Sequence, residues 1–467
     1  METQLPRGIA VIDAGKTNTK IVLFDAQGSL VTERKVASKN HEGPPYRHID
    51  PTVFMELCQS ALPELDAILP IDVVVPCAHG AAMACVARGG TLALPVMDYT
   101  CEPPPEIISA YRGIQPPFRE VYSPLLPMAL THALQLFWQQ QAFRPEFAKT
   151  QTMMTWIQYV GFCLSGVAVS EISSMSCQTH LMDVNTGKLS SLVRALGWEK
   201  YFPPFAKAWE PIGSLHEKFR GKAFRGAGEV LAGVHDSNGN YLRYLAAGRE
   251  KFTLLSTGTW IIAFDTEAKL QSLDESRGMV SNTDVLGNHV VCCRFFGGKE
   301  FEILGDGVPG DAATLNAVQS LIAQNTFALP YFSDSVDGPV PHRSGSRGSV
   351  MGPAPTSPEQ KASLASLYCA LMVSESLTSI GSRYDIIVDG PFSENLVFLK
   401  VLAELRPAQK LFASDLRDGT TAGAACLALM PDGKLPHVPL SLTHVLPKKL
   451  AGLQEYASTW LSLAHRC

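Results

Sequence analysis

The chain has 467 residues, of which 46% are hydrophobic and 18% charged, and a net charge of −5. These proportions are ordinary for a soluble globular protein, and the charge gives no electrostatic reason to expect a nucleic acid as partner. This length allows about two or three domains. The 11 cysteines form no CxxC pair and no secretory signal is recognisable, so we expect free thiols in a reducing cytoplasm.

The first elements predict an antiparallel β meander. Gly8 to Ile12 and Lys20 to Phe24 are apolar and typical of strands, and the segment between them is small and polar. Ser29 to Val36 predicts a third strand after a turn. The first hairpin therefore carries a glycine-containing loop.

Thr152 to Ser170 is the most apolar long stretch of the chain. It contains Gln158 and two glycines, so we predict a buried helix there and no membrane span.

A second segment repeats the plan of the first hairpin. Phe252 to Leu255 and Trp260 to Phe264 predict strands, joined by a loop that contains Gly258. Gly258 follows Gly15 by about half the chain length, which favours an internal duplication. Coincidence is the alternative, because short strand–glycine–strand units are common.

The last third mixes an irregular stretch with regular elements. Asn325 to Ser363 is rich in Pro, Gly and Ser and predicts an irregular connection. The sequence then predicts a helix, a strand and two further helices, at 359–380, 386–388, 396–405 and 420–429. Ser393 is placed to cap the second of these helices.

The string Asp13 to Lys20 carries the most chemistry. Gly15 lets the backbone turn towards an anion, and successive N–H groups with polar side chains can bond phosphate oxygens. Asp13 could hold a magnesium ion through water. The phosphate-binding candidates are Gly15, Lys16, Thr17, Asn18 and Lys20.

The Gly-Lys-Thr triplet of this string invites a P-loop interpretation, which fails on two counts. Position 10 is alanine where a P-loop needs glycine, and a strand follows the loop in place of a helix. A plain hairpin turn with solvated lysines is the alternative.

Asp236 follows a predicted strand and lies shortly before the second hairpin. Phosphoryl transfer to a hydroxyl needs a carboxylate that takes the proton, so Asp236 is the candidate base. Capping of the next helix is the alternative. We interpret His235 as a hydrogen-bonded core histidine.

In chain order these segments resemble the motifs of the FGGY family of carbohydrate kinases. Asp13 to Lys20 resembles the first phosphate motif, Ser256 to Trp260 the second, and His235-Asp236 the motif of the catalytic aspartate. Further segments resemble the sugar-side segment, the strand and acid after it, the LPY…ARG region, the adenosine motif and a small-residue helix: Cys77 to Gly80, Leu94 to Asp98, Leu329 to Phe332 with Arg347-Gly348, Asp389 to Asn395, and Gly419 to Gly423.

The resemblance implies an α/β chain with a duplicated actin-like, ribonuclease-H-like ATPase fold, in which two domains surround a central cleft. We place the domains at 1–245, with the sugar side and first phosphate loop, and at 246–467, with the second phosphate loop and adenosine site. The resemblance also implies ATP, Mg²⁺ and closure of the domains on a sugar.

It further implies roles for single residues. Asp236 is the implied base and contacts the sugar together with His79 and Asp98. The implied nucleotide and phosphate contacts of the second half are Gly258, Thr259, Gly390 and Asn395.

Within the family, three features are most similar to the rhamnulokinase and fuculokinase branch, which acts on ketoses: the segment Glu171 to Asp183, the His235-Asp236 pair and the Gly258-Thr259-Trp260 triplet. Departures leave the sugar open. Asp389-Gly390-Pro391 replaces a triple glycine, and the arginine expected after Asp98 and the Gly-Glu-Arg expected after the LPY stretch are missing. Lys16 is unusual for its loop, and would contact phosphate or face solvent.

We therefore expect a cytoplasmic ATP-dependent kinase that phosphorylates a hydroxyl of a small sugar, a ketose by its branch, with neither nucleic acid nor membrane as partner. A homodimer is compatible with the sequence. One alternative is an actin-like nucleotide-binding regulatory or structural protein, against which Asp236, His79 and Asp98 argue. Another is a phosphate-ester hydrolase, which would release ADP without a sugar.

Overall fold

The computed structural model describes residues 5–333, 337–341, 347–415, 418–430 and 432–466. Within them the strands are β1 (Gly8–Ala14), β2 (Asn18–Asp25), β3 (Leu30–Ala37), β4 (Asn40–His41), β5 (His48–Ile49), β6 (Ile71–Ala78), β7 (Met83–Ala87), β8 (Leu92–Leu94), β9 (Thr150–Thr155), β10 (Ser170–Glu171), β11 (Met182–Asp183), β12 (Lys188–Leu189), β13 (Phe205–Ala206), β14 (Pro211–Ser214), β15 (Glu229–Leu231), β16 (Val234–His235), β17 (Phe252–Thr257), β18 (Ile261–Asp265), β19 (Met279–Thr283), β20 (His289–Phe295), β21 (Phe327–Leu329), β22 (Ser349–Met351), β23 (Asp385–Asp389), β24 (Leu411–Ser414) and β25 (Leu442–Val445).

The α-helices of the same residues are α1 (Thr52–Ile68), α2 (Pro105–Arg112), α3 (Phe118–Val121), α4 (His132–Ala142), α5 (Arg144–Phe147), α6 (Trp156–Ser165), α7 (Ile172–Ser176), α8 (Ser191–Ala195), α9 (Glu217–Arg220), α10 (Asp236–Ala246), α11 (Gly297–Leu304), α12 (Leu315–Ala323), α13 (Pro358–Ser379), α14 (Leu396–Leu405), α15 (Gly419–Ala425) and α16 (Leu453–Ala464).

The chain divides into two compact units. The first comprises Met1–Arg249, Ser281–His289 and Asp418–Pro439, and the second comprises Glu250–Val280, Val290–Arg417 and Leu440–Cys467. The predicted domains 1–245 and 246–467 stay a prediction. The compact units differ from them because residues 281–289 and 418–439 group with the first.

A mixed sheet forms the centre of the first unit. Its described strands run in the order β14-β15-β6-β1-β2-β3, with β16 also beside β6. β1 pairs antiparallel with β2 and parallel with β6. Alternate residues of β1 enter two hydrophobic clusters, Ala10 and Ile12 in one and Ile9 and Val11 in the other. The strand is therefore covered on both faces, which explains its unbroken apolar sequence.

The second unit is built on a sheet of the same plan. Its described strands run β19-β20-β18-β17-β23-β24-β25. β17 pairs antiparallel with β18, as β1 does with β2, and parallel with β23, as β1 does with β6. A long helix precedes the parallel strand in each unit, α1 before β6 and α13 before β23. The shared order confirms the predicted duplication.

Several predicted elements are confirmed and others are corrected. The predicted helix 396–405 coincides with α14, and both predicted hairpins are present as β1–β2 and β17–β18. The stretch 152–170 is wrong as a single helix, because β9 runs to Thr155 and α6 begins only at Trp156. No described helix combines the length and apolar character that crossing a membrane requires.

Two further corrections concern the last third. The stretch 325–363, predicted as irregular, contains the antiparallel pair β21–β22 and the start of α13; residues 334–336 and 342–346 of that prediction lie outside the described residues. Ser393 does not cap α14, since Asn395 accepts the N–H of Phe398 at 3.0 Å. The ten described cysteines are all free, as expected.

Candidate active site

The first candidate phosphate loop is the three-residue connection Gly15–Thr17 between β1 and β2. A Cβ on Gly15 would lie 2.8 Å from the carbonyl oxygen of Asn18, so the turn needs glycine. Ser38, just after β3, donates its hydroxyl to the Gly15 carbonyl at 2.8 Å and its N–H to the Thr17 carbonyl at 2.9 Å. Ser38 thus anchors the loop, and no local sequence signal could have predicted this contact.

Lys20 lies between two carboxylates of the first unit. Its Nζ is 2.6 Å from Oδ2 of Asp418 and 3.5 Å from Oδ2 of Asp13. Burial raises the pKa of Asp13 to about 7; Lys20 opposes this shift, whereas the Asp236 and Asp418 charges add to it. Asp418 also caps α15 by accepting the N–H of Thr421. Sequence reasoning missed Asp418, although an aspartate just before a predicted helix is an N-cap signal.

Asp98, predicted as a sugar contact, is fully buried and surrounded by donors. Lys16 forms an ion pair with its Oδ1 and also lies 4.6 Å from the centroid of the Tyr99 ring. Oδ2 accepts from Asn40 at 2.8 Å and from Arg47 at 3.1 Å. Burial would raise the pKa of Asp98, but the hydrogen bond and charge of Lys16, with the hydrogen bonds from Thr100, outweigh it and lower that pKa.

Asp236, the candidate base, is the first residue of α10. Its side chain is 34% exposed, so a substrate can reach it. His235 donates from Nε2 to Oδ1 of Asp236 at 2.9 Å, and the N–H of Ser237 donates to the same oxygen at 2.6 Å. Asp236 therefore does not act as the cap that the alternative predicted, since it accepts only the adjacent N–H. The His235 contact was missed by the sequence analysis.

His79, the other predicted sugar contact, follows the end of β6. β16 runs parallel to this strand, with His235 opposite Ala78, so the segment after β6 lies beside Asp236. Nδ1 of His79 donates to the Gly80 carbonyl at 2.7 Å. Burial lowers the pKa of His79, although the Asp236 charge partly opposes this, and we treat the ring as neutral.

In the second unit the loop with Gly258 and Thr259 connects β17 to β18. A Cβ on Gly258 would meet no atom closer than 4.0 Å, so this position is sterically open. The helix α11 begins beside the loop, where the N–H of Gly298 donates to the Thr259 carbonyl at 3.1 Å. A Cβ on Gly298 would lie 2.0 Å from the Gly258 carbonyl, which makes Gly298 a further residue that this loop requires.

Gly390 follows β23, the parallel neighbour of β17, and therefore lies near the same loop. Its φ is +87°, and a Cβ would lie 2.0 Å from the Thr257 carbonyl. The Thr257 hydroxyl donates to the Asp389 carbonyl at 2.5 Å and accepts the N–H of Phe392 at 3.1 Å. Gly258 and Gly390 are thus brought together through Thr257.

Asn395 is occupied by contacts within the second unit. Besides capping α14, it donates from Nδ2 to the hydroxyl of Ser366 at 3.0 Å. Asn395 thus stabilises the start of α14 in the structure, and its predicted contact with adenosine stays a prediction.

A cavity of about 740 Å³ adjoins Gly390 in the second unit. Ligand pockets of small molecules fall in this range of about 300–1,000 Å³. Its lining comprises Gly390, Pro391, Ser393, Glu394, Leu396, Leu399, Lys400, Ala413, Ser414, Asp415, Thr443, His444 and Val445.

Comparison with known proteins supports one family. Residues 249–436 match the family model described as "Carbohydrate kinase FGGY, C-terminal domain". The L-fuculokinase of Salmonella typhi is 23% identical over 265 residues, which are 54% of this chain and 55% of that protein. The match thus spans about half the length of that curated relative.

Solved structures match over the whole chain. A carbohydrate kinase from Novosphingobium aromaticivorans is 29% identical with a TM-score of 0.86, covering 99% of this chain and 100% of the other. A xylulose kinase from Rhodospirillum rubrum shares the fold at 15% identity, with a TM-score of 0.77 and 98% coverage of both chains. Glycerol kinase from Plasmodium falciparum with ADP shares it at 15% identity and a TM-score of 0.78, covering 100% of this chain and 99% of the other.

These neighbours confirm the duplicated, two-domain actin-like ATPase fold of the sugar kinases. The chain is thus similar to the FGGY carbohydrate kinases, through the family match of residues 249–436 and through its kinase relatives. Its place in the rhamnulokinase and fuculokinase branch stays a prediction.

Proposed function

We propose that this protein transfers the terminal phosphoryl group of ATP to a hydroxyl of a small sugar, with Asp236 as the base that takes the hydroxyl proton. The observation that carries this proposal is the accessible Asp236 carboxylate, paired with His235 at the start of α10. The charge of Asp236 also contributes to the raised pKa of Asp13, the acid near the end of β1. A carboxylate in such a place can position an acceptor hydroxyl and accept its proton.

The sugar side belongs to the first unit in this proposal. His79 and Asp236 each directly follow one of the paired strands β6 and β16, and the buried neutral ring of His79 can exchange hydrogen bonds with sugar hydroxyls. Asp98 already accepts from Lys16, Asn40 and Arg47. We therefore propose two roles for Asp98, which are to hold the sugar-side loops in position and to contact the sugar.

The second unit would bind the nucleotide. The open backbone at Gly258, the neighbouring Thr259 and the strained glycine at 390 are suited to close approach of phosphate oxygens. The cavity beside Gly390 has the volume for an adenosine, and Asn395 supports it by starting α14, whose residues Leu396 and Leu399 line it. In the first unit, Gly15, Thr17, Asn18 and Lys20 remain proposed phosphate contacts.

Magnesium fits this site as an ion that arrives with the nucleotide. The described residues contain no group of three or more His, Cys, Asp or Glu side chains that could hold a metal. Mg²⁺ commonly uses one or two carboxylates together with substrate phosphates and water, and Asp13 can supply one. The ion would neutralise phosphate charge. We expect Asp13→Asn to raise the magnesium concentration for half-maximal rate, whereas Asp25→Asn, at the end of β2, should not.

A ketose is the proposed acceptor class. The motif similarity to the fuculokinase branch supports it, as does the similarity to an L-fuculokinase and to xylulose kinases. An actin-like protein without an acceptor sugar is not favoured, because Asp236 and His79 would then have no substrate to bind.

A coupled ADP-release assay across ketopentoses, ketohexoses, 6-deoxyketoses and polyols tests the proposal. We expect slow ATP hydrolysis alone and a strong rise with at least one ketose, with a sugar phosphate formed in equal amount to ADP. ADP release that no member of the panel increases would contradict the kinase proposal and favour a hydrolase. A rise with polyols alone would contradict the ketose assignment.

A further inference from the structure

The imidazole of His235 occupies space that a neighbouring glycine leaves free. β16 and β6 are parallel neighbours, and His235 is in register with Ala78, two positions before Gly80. A Cβ on Gly80 would lie 2.7 Å from Nε2 and 3.1 Å from Cδ2 of His235. Real Cβ atoms essentially never approach so closely, so any larger residue at position 80 must displace this ring or its own backbone.

The ring placed in this way points its Nε2 at the candidate base. Nε2 donates to Oδ1 of Asp236 at 2.9 Å, and the His235 side chain is only 9% exposed whereas that of Asp236 is 34% exposed. The histidine is thus behind the carboxylate, shielded from solvent, while the carboxylate keeps an accessible side.

We infer that His235 is a positioning residue for Asp236, and that Gly80 is required because it leaves room for the His235 imidazole. The imidazolium would hold the carboxylate charged and in one orientation, ready to accept the hydroxyl proton. This inference rests on the proposed function insofar as Asp236 is the base. It adds a reason for the glycine of the Cys77-Ala78-His79-Gly80 segment, which the sequence analysis gave only by resemblance.

Electrostatics agree with this geometry. Burial would lower the pKa of His235, but the Asp236 carboxylate outweighs it and raises that pKa well above 6.5. Burial would raise the pKa of Asp236, but His235 outweighs it and lowers that pKa. The remaining titratable groups that interact with the pair are Asp13, Cys77, His79, Tyr99, His132 and Cys177.

Among these groups no other histidine can take the place of His235. Burial, together with the charge of the nearby His235, lowers the pKa of His132 to about 3. Burial also lowers the pKa of His79. Both rings are therefore neutral near pH 7. Asp13 carries charge of the same sign as Asp236, so it cannot stabilise the carboxylate.

The kinetic test is the pH profile of kcat/KM for His235→Leu, His235→Gln and Gly80→Ala. Asp13, whose pKa is about 7, sets the upper part of the acid limb, and Asp236, whose pKa is lowered, sets the part at lower pH. Without the imidazolium the pKa of Asp236 rises, so that lower part of the acid limb should move to higher pH by about one unit, which is a tenfold loss there. His235→Gln keeps a donor without charge and should shift the limb while losing less rate at its plateau than His235→Leu. The exposed His289→Leu is the control and should leave the profile unchanged.

Gly80→Ala tests separately whether Gly80 is needed to leave room for the His235 ring, because it keeps the imidazole itself. It should shift the acid limb in the same direction although His235 is intact, and Gly80→Ala combined with His235→Leu should shift it no further than His235→Leu alone. Additive shifts, or a well-folded His235→Leu enzyme with the wild-type acid limb, would overturn the inference. Loss by one constant factor at every pH would also overturn it, because that is the mark of a structural role.

A second readout does not depend on kinase activity. NMR titration of histidine side chains should show His235 titrating above pH 6.5 in the wild type and at lower pH in Asp236→Asn. An unchanged His235 titration would overturn the pairing even in an active enzyme. If no sugar stimulates the wild type but this shift is found, the proposed function fails while the pairing stands.

Discussion

At the scale of single residues, Lys16 shows how a side chain can be understood only in the folded chain. The sequence left it between phosphate and solvent. In the structure its ammonium pairs with the buried Asp98, 82 positions away, and lies over the Tyr99 ring. The first phosphate loop is thereby tied to the sugar-side segment of the same unit.

Lys16→Met should therefore destabilise the protein. It leaves the buried Asp98 carboxylate with one charged partner fewer, at a cost of about 1–3 kcal/mol. Lys39→Met is the matched control, because Lys39 is 64% exposed and its ion pair with Asp50 is long, at 3.9 Å. Its effect on the free energy of unfolding should stay within about 0.5 kcal/mol. Denaturant unfolding at pH 7 measures both. Equal stability of the two variants would show that the Lys16–Asp98 pair contributes nothing.

The pH dependence of that difference has a definite sign. Burial opposes ionisation of Asp98, but Lys16 and the other donors lower its pKa below the ordinary 3.8. The pair's stabilisation is therefore present above pH 3.8 and is lost as pH falls through the lower folded-state pKa. We therefore expect the difference in unfolding free energy between wild type and Lys16→Met to become smaller as the pH falls below 3.8. Denaturant unfolding at several pH values between about 2.5 and about 7 measures this difference.

At the scale of elements, the ends of β17 and β23 depend on glycine for different reasons. Gly390 combines a φ of +87° with a Cβ position 2.0 Å from the Thr257 carbonyl. Gly390→Ala should cost about 1–3 kcal/mol more than Gly381→Ala, because Gly381 has a φ of +70° but open space around it. Thermal unfolding of the two variants isolates the cost of the clash, because φ is positive at both positions. An equal cost would mean that the Gly390 backbone relaxes freely.

Gly258 is the opposite case, since its surroundings are open. Gly258→Val should leave thermal unfolding close to wild type while it raises the KM for ATP about tenfold or more, equivalent to about 1.4 kcal/mol of phosphate binding. The β-branched side chain would cover the backbone that phosphate must approach. Calorimetry of sugar binding without nucleotide is the control. Loss of sugar binding to the same degree would indicate misfolding.

Local pattern was sufficient to predict the hairpins and α14, because short apolar runs around a polar loop and helix length are properties of neighbouring residues. It failed at 152–170, where a strand and a helix meet without a turn signal, and at Ser393, which precedes the true cap Asn395 by two positions. The candidate base was found from its place in the chain. The Lys20–Asp418 pair and the anchoring Ser38 arise from packing between segments that are apart in the chain, which local pattern does not record. His235 adjoins Asp236 in the chain, but the direction of its ring depends on packing beside Gly80.

At the scale of the whole molecule, the repeated strand order explains why two short glycine loops occur half a chain apart. Each follows the strand that pairs antiparallel on one side and parallel on the other, β1 in the first unit and β17 in the second. The base, by contrast, occurs in the first unit and the adenosine-sized cavity in the second. The duplicated halves have therefore taken different chemical tasks in the proposed reaction.

The most direct measurement of the central claim is sugar-stimulated ADP release by wild type and Asp236→Asn, side by side. Asparagine keeps the size and one acceptor oxygen of the side chain, but it cannot take the proton. We predict that kcat falls about 10²–10⁴-fold while KM for sugar and ATP change little. A well-folded Asp236→Asn protein that keeps kcat within about tenfold of wild type, less than a positioned base supplies, would contradict the account.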